Sequence, residues 1–148
     1  MKIVYALMLT TIFSCKRNNI ESKIADRVED ICTSSSCTID MKNLTDFSWD
    51  KMYVFKYTAP QDEVINVVGS IPERFTEFTR KIIFTSNGKI VYSEEGQTDI
   101  SGLVKGEVVF DIPDSVNFKS YEIEKAIFKA DKKEFERGYY YELTQIGE

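Results

Sequence analysis

The sequence predicts a single α+β domain, in which two helices pack on an antiparallel sheet of five or six strands. An apolar stripe with helical spacing follows the polar residues 16–19. Runs rich in β-branched and aromatic residues fill the second half of the chain, and an Asn-Gly pair separates two of them. The sequence contains neither an internal repeat nor a low-complexity linker, so we expect one domain.

The two helices are predicted at residues 18–31 and 58–69. In the first, four aliphatic residues share one face: Ile20, Ile24, Val28 and Ile31. Asn18 and Glu21, three residues later, form an approximate capping box. The second helix has Thr58 as its predicted N-cap, and Gly69 is expected to end it.

Strand patterns occur at residues 38–42, 49–57, 81–85, 90–92, 106–112, 122–131 and 134–146. Residues 52–55 are apolar at odd and at even positions, which point to opposite faces of a strand. This predicts a strand that is covered on both faces. Asn87 and Gly88 supply the positive φ angles of a type I′ turn, in a register that places Phe84 opposite Val91.

The N-terminal residues have the pattern of an export signal. Lys2 precedes an apolar run at residues 3–13, which is about eleven residues long and thus shorter than the roughly 20 that span a membrane. We therefore expect residues 1–14 to be a signal peptide, residues 15–18 to be the new N-terminus and a short tether, and residues 19–148 to be the folded domain.

The sequence I-F-S-C at residues 12–15 resembles the lipobox of bacterial lipoproteins, although Phe13 is bulkier than the usual residue. The resemblance implies that Cys15 is lipidated and that the protein is anchored in the bacterial cell envelope, facing the periplasm. Lys16 after the cysteine favours the outer membrane over the inner one. The alternative is an ordinary signal peptide that leaves Cys15 as a free or disulfide-bonded thiol.

Cys32 and Cys37 enclose four polar residues, which suggests a local disulfide in an exported protein. Its expected role is to clamp a corner between helix and strand. A metal site is disfavoured because the chain has no histidine and no second cysteine pair. A thioredoxin-like redox pair would have two intervening residues instead of four.

Trp49 and Asp50 lie in the densest motif of the chain, F-x-W-D-x-x-Y-V-F at residues 47–55. This motif resembles one that occurs in small lipoproteins of Gram-negative bacteria, and the resemblance supplies no catalytic residues. Trp49 and Asp50 are candidate binding residues. The favoured alternative places Trp49 in the core, with Asp50 accepting hydrogen bonds from backbone donors where the strand begins.

Residues 122–131 and 134–146 form a predicted hairpin that turns near residues 131–133. Alternation along its second strand sends Tyr140 to the face opposite Tyr139 and Tyr141. An exposed Tyr140 would suit a protein interface, so it is a candidate binding residue; covering an aromatic sheet is the alternative.

The sequence offers little chemistry for an enzyme. It has no histidine, no nucleophile elbow, no phosphate-binding loop and no dinucleotide fingerprint, so no cofactor and no small-molecule substrate is predicted. The carboxylates of Glu94, Glu95 and Asp99 could include a catalytic pair, as in glycosidases, or could bind calcium. A solvated turn is the favoured interpretation. Glu94 and Glu95 are also kept as candidate binding residues.

Charge and anchor together suggest a class of function. Removal of the signal peptide leaves 24 acidic and 18 basic residues, about −6, and the dispersed basic residues do not favour nucleic-acid binding. We expect a non-enzymatic lipoprotein that binds a protein in the envelope, for example an immunity protein that neutralises a periplasmic toxin. The alternative is a structural or stress-related lipoprotein without a dedicated partner.

The anchor generates a first prediction. Cys15→Ser removes the thiol that would carry the lipid, so the variant should leave the membrane fraction and become soluble. Fractionation of cells that produce the variant or the unsubstituted protein measures this. Continued tight attachment of the Cys15→Ser protein would refute the lipid anchor.

Overall fold

The described part of the chain contains eight strands, which pair into two four-stranded sheets. The computed structural model describes residues 19–32, 36–96, 106–136 and 138–147. The predicted signal peptide, the tether at residues 15–18 that begins with Cys15, and Asp99 lie outside the described residues. The described chain is a single α+β domain with two helices, in agreement with the predicted class.

The helices are α1 (Ile20–Ile31) and α2 (Gln61–Val68). The strands are β1 (Ser36–Asp40), β2 (Lys51–Phe55), β3 (Lys81–Ser86), β4 (Lys89–Glu95), β5 (Glu107–Phe110), β6 (Phe118–Glu122), β7 (Ile127–Phe135) and β8 (Gly138–Gln145). Short 3-10 turns also occupy Met41–Asn43 and Ile123–Lys125.

The strand order is β1-β7-β8-β5 in the first sheet and β4-β3-β2-β6 in the second. Neighbouring strands are antiparallel except for β5 and β8, which are parallel. The prediction of one sheet with five or six strands is therefore wrong. The predicted strand 122–131 is in fact the end of β6, a 3-10 turn and part of β7, because the chain crosses there from the second sheet to the first.

The hairpin of β7 and β8 turns later than predicted. Residues 131–133 lie within the ladder, where Asp131 pairs with Glu142, and the turn follows Phe135, which pairs with Gly138. Charged residues are tolerated inside this ladder because their side chains have partners: Lys133 Nζ is 3.2 Å from a carboxylate oxygen of Glu142. The charge run therefore marks an exposed sheet surface and not a turn.

Helix α1 buries the predicted stripe, and Ile20, Ile24 and Val28 are at most 2% exposed. Its N-cap is Asn19, whose side chain accepts a hydrogen bond from Ser22 N at 2.9 Å, so the predicted capping box of Asn18 and Glu21 is one residue out of position.

Helix α2 ends at Gly69 with φ +86°, as predicted, but its N-cap is Pro60. The predicted cap Thr58 instead donates its hydroxyl to Asn117 Oδ1 at 3.1 Å. The helix therefore starts later than the sequence predicts, because Thr58 is used in a tertiary contact.

The second sheet is covered on both faces, as the apolar residues of β2 predicted. Met52 and Val54 point into the main core, where α1 and the inner faces of both sheets meet. Phe55 points the other way, into a smaller cluster beneath α2. An edge-to-face contact between Tyr121 and Phe128, with ring centroids 5.0 Å apart, joins the two sheets across the main core.

The Asn-Gly turn between β3 and β4 has the predicted positive φ angles, 52° at Asn87 and 71° at Gly88. The predicted register is wrong, because Phe84 pairs with Tyr92 and not with Val91. A bulge between Phe84 and Thr85 shifts the register by one residue, and Val91 is 43% exposed.

Cys32 and Cys37 meet at the corner between α1 and β1. Cys32 is the C-cap of the helix, Cys37 is the second residue of the strand, and their Cα atoms are 5.2 Å apart, which is within the range of disulfides. The geometry fits the predicted clamp.

The clamp gives the second prediction. A Cys32→Ser, Cys37→Ser double variant should lose about 2 kcal/mol of unfolding free energy, because a short loop in the unfolded chain is no longer closed. Urea unfolding of both proteins, with and without reductant, measures this. Reductant should lower the stability of the unsubstituted protein only; an equal response of both proteins would contradict the bond.

Candidate functional site

The structure leaves one sheet surface without a covering element among the described residues, the outer face of the first sheet. We call this the open face, and it carries Thr38, Lys129, Asp131, Lys133, Phe135, Tyr140 and Glu142. Side chains on this face alternate with core residues such as Phe128 and Leu143. Its charged residues pair locally: Lys129 Nζ is 2.9 Å from Asp131 Oδ2.

Tyr140 is the candidate binding residue that the structure places on the open face. It is half-buried and lies opposite Lys133 in the ladder, with its ring centroid 6.2 Å from that of Phe135. The neighbouring Tyr141 points inward and is 4% exposed. Tyr140 and Phe135 therefore form an aromatic pair between charged side chains.

Trp49 is a core residue, as the favoured alternative predicted. It is 5% exposed, its ring packs edge-to-face on Phe84 with centroids 5.0 Å apart, and its indole N–H donates to Thr45 Oγ1 at 2.9 Å. Trp49 is therefore buried and does not offer a binding surface.

Asp50 is exposed and lies directly before the first residue of β2. Its Oδ2 accepts a hydrogen bond from Asn87 N at 2.5 Å, and its own backbone N–H donates to Thr85 O at 2.8 Å. The carboxylate thus holds the β3–β4 turn. The acceptor role agrees with the favoured alternative, but the backbone donor belongs to that turn and not to the beginning of β2 itself.

Glu94 does not lie in a solvated turn, because it belongs to β4 and is half-buried. Its two carboxylate oxygens accept hydrogen bonds from Ile20 N at 2.7 Å and Glu21 N at 3.0 Å, which satisfies free backbone donors at the start of α1. Tyr92 also donates its hydroxyl to Glu94 Oε2, at 2.6 Å. Burial, and then this bond, raise the pKa of Tyr92.

Glu95 lies on the opposite face of β4 and contacts the loop between α2 and β3. Its Oε1 accepts a hydrogen bond from Thr76 N at 2.5 Å and lies 3.9 Å from Lys81 Nζ. The prediction of a solvated acidic turn is therefore wrong for both glutamates, because their carboxylates accept hydrogen bonds from residues that are distant in the sequence.

Lys81 is a buried charged residue, away from the open face, that the sequence did not single out. It is 1% exposed, and burial lowers its pKa, although Glu95 raises it. A signal was available, since alternation places Lys81 on the same face as Ile83, a face that the sequence predicts to be covered. A lysine on such a face has to find acceptors in the protein.

Glu21 and Arg80 form a partly buried ion pair. The sequence does not reveal it, because 58 residues lie between them. Their side chains are 15% and 14% exposed, and Arg80 Nη2 lies 3.2 Å from Glu21 Oε1. Arg80 Nη1 also donates to Val108 O on β5. A methyl group at Gly96 would lie 2.7 Å from Glu21 Oε1, so a larger residue at this position would require the Glu21 carboxylate to shift.

Burial dominates the ionisation of Glu21. It raises the pKa to about 7, against the lowering effect of Arg80 and with smaller contributions from Glu94 and Glu107. The pair borders a cavity of about 510 Å³ whose apolar walls include Val54, Ile82 and Phe110. A cavity of this size and character is typical of sites for small apolar molecules.

Among the described residues, no group of three or more acidic or cysteine side chains could hold a metal ion. The helices within the described ranges include none that is long and apolar enough to span a membrane.

Comparison with known proteins found no family model, no curated protein and no solved structure that matches the chain. A function for the protein is therefore argued from its own geometry.

The Glu21 carboxyl gives the third prediction. Its folded pKa of about 7 exceeds the unfolded value of 4.5, so the folded state binds this proton more tightly. The unfolding free energy should therefore fall as the pH rises from about 4.5 to about 7, by up to about 3 kcal/mol from this group. Urea unfolding at stepped pH measures this change.

Glu21→Gln should flatten that fall, because glutamine stays neutral throughout. Glu124→Gln is the control, since Glu124 is exposed, and it should keep the slope of the unsubstituted protein. An unchanged slope in Glu21→Gln would show that the carboxyl is not held in its protonated form by burial.

Proposed function

We propose that the chain is a non-enzymatic lipoprotein, anchored by Cys15 in the bacterial cell envelope and facing the periplasm, that binds another protein through the open face. The observation that carries this proposal is the placement of Tyr140 and Phe135 on an otherwise uncovered sheet surface. Tyrosine and phenylalanine are enriched in protein interfaces, where tyrosine combines a large apolar contact with a hydroxyl that can hydrogen-bond.

The roles of the other candidate residues support a binding function over catalysis. Glu94 caps α1 and Glu95 holds Thr76, so both carboxylates are engaged in the fold. The absence of histidine from the sequence removes the usual general base. The described surface therefore presents shape, aromatic area and charge, which are the properties that a binding partner would recognise.

The charge of the protein indicates which partner would fit. The excess of acidic residues would attract a basic protein and increase its rate of association. An immunity role, in which the lipoprotein holds a basic toxin at the periplasmic face of the membrane, is the specific form of the proposal. The outer membrane is the proposed site of attachment, from Lys16 after the lipidated cysteine.

Affinity capture of the lipidated protein from gently solubilised membranes of its host tests the function. The soluble Cys15→Ser form is the comparison. A single near-stoichiometric partner, retained by both forms, is the expected result; toxicity of that partner alone would establish immunity. Recovery of only abundant envelope proteins in small amounts would replace this proposal with a structural or stress-related role.

The fourth prediction concerns Tyr140. Tyr140→Ala should weaken binding of the captured partner by at least about tenfold, as for an interface residue of central importance, and change the unfolding free energy by less than about 1 kcal/mol. Tyr57→Ala is the matched control, because Tyr57 is 39% exposed but lies off the open face. Titration calorimetry and urea unfolding measure the two effects.

Glu94→Ala serves as the opposite control. It should lower the stability by about 1–2 kcal/mol, because the start of α1 loses its acceptors, while the folded variant keeps its affinity. Equal affinities of Tyr140→Ala and the unsubstituted protein would exclude the open face as the binding surface.

A further inference from the structure

Phe78 is the most exposed large apolar side chain in the part of the chain that the structure describes, at 67%. It lies between α2 and β3, and its backbone φ is +57°. An aromatic residue rarely adopts this left-handed conformation, which is unfavourable and persists only where surrounding contacts fix it. The loop therefore exposes an apolar ring in a conformation that is unfavourable by itself.

The contacts that fix the loop come from Lys81 and Glu95. Lys81 Nζ donates to Thr76 O at 2.8 Å, to Thr79 O at 2.9 Å and to Thr79 Oγ1 at 3.0 Å. Glu95 Oε1 accepts from Thr76 N at 2.5 Å. The backbone on both sides of Phe78 is thus tied to a buried ammonium group, so the loop that carries the ring is fixed in position.

This loop lies at the end of the second sheet where α1 also begins. Glu95 contacts the loop on one face of β4, while Glu94 accepts a hydrogen bond from Ile20 N on the other face. Cys15 precedes Ile20 by five residues, so at about 3.6 Å per residue it lies within about 18 Å of the helix start. A lipid on Cys15 would therefore hold this end of the domain close to the membrane.

We propose that Phe78 inserts into the interfacial region of the membrane that holds the lipid anchor, and thereby fixes the orientation of the domain. This inference rests on the lipidation of Cys15 in the proposed function. Transfer of an aromatic ring from water to this region is favourable, and the preformed loop reduces the entropy lost on insertion. The net negative charge disfavours an electrostatic contact with anionic lipid, so the contact is apolar.

Fluorescence quenching by brominated lipid tests the contact. The full lipidated protein is placed in phosphatidylcholine vesicles, with or without bromine on the acyl chains, as the Phe78→Trp variant. Val91→Trp is the matched control, because Val91 is 43% exposed and lies four residues before Glu95 along β4, away from the loop. The unsubstituted protein supplies the background from Trp49, which is buried in the core.

Brominated lipid should lower the emission of the Phe78→Trp variant by roughly twofold after subtraction of the background, and leave that of Val91→Trp unchanged. Equal emission of Phe78→Trp in both kinds of vesicle, with the protein still floating with them, would overturn the membrane contact. Equal quenching of both variants would also overturn it, because the contact would not be specific to the loop. Failure of the unsubstituted protein to float would instead overturn the lipid anchor, and the contact with it.

Discussion

The end of β4 determines how the parts of this domain are joined. Two successive glutamates there point to opposite faces of the second sheet: Glu94 accepts the first free backbone donors of α1, and Glu95 holds the loop before β3. Strand alternation makes this possible, because adjacent side chains must point to opposite sides. A two-residue segment thus positions a helix on one side and a loop on the other, and the elements at this end of the sheet depend on it.

The same region contains the unusual electrostatics of the molecule. Glu21 lies beside Glu94 and is ion-paired with Arg80, while the buried Lys81 lies near Glu95. Each charge is removed from water, and each has partners that offset part of the cost. Burial therefore moves the Glu21 pKa up and the Lys81 pKa down, and both side chains are held by contacts within the fold. The open face, formed by the other sheet, contains the aromatic pair of Tyr140 and Phe135.

Local pattern predicted much of the fold correctly. The stripe that includes Ile20 and Ile24, the two-sided burial of β2, the Asn87-Gly88 turn and the end of α2 at Gly69 all follow from the conformational and hydrophobic preferences of neighbouring residues. Several failures occurred where a contact distant in the sequence decided the outcome, whereas the β3–β4 register failed through a local bulge. The acidic residues at 94 and 95 have the composition of a turn, yet each meets backbone donors of another segment.

The sequence by itself determined the α+β class and the inward and outward alternation of Tyr139 to Tyr141, and it favoured a core position for Trp49, because periodicity and side-chain volume are properties of the local chain. Only the tertiary structure decided that eight strands divide into two sheets and that Tyr140 faces an uncovered surface. It also brought Glu21 to Arg80 across 58 intervening residues. Such pairings depend on which elements pack together, and hydrophobic periodicity carries no information about the partner of a strand or of a buried charge.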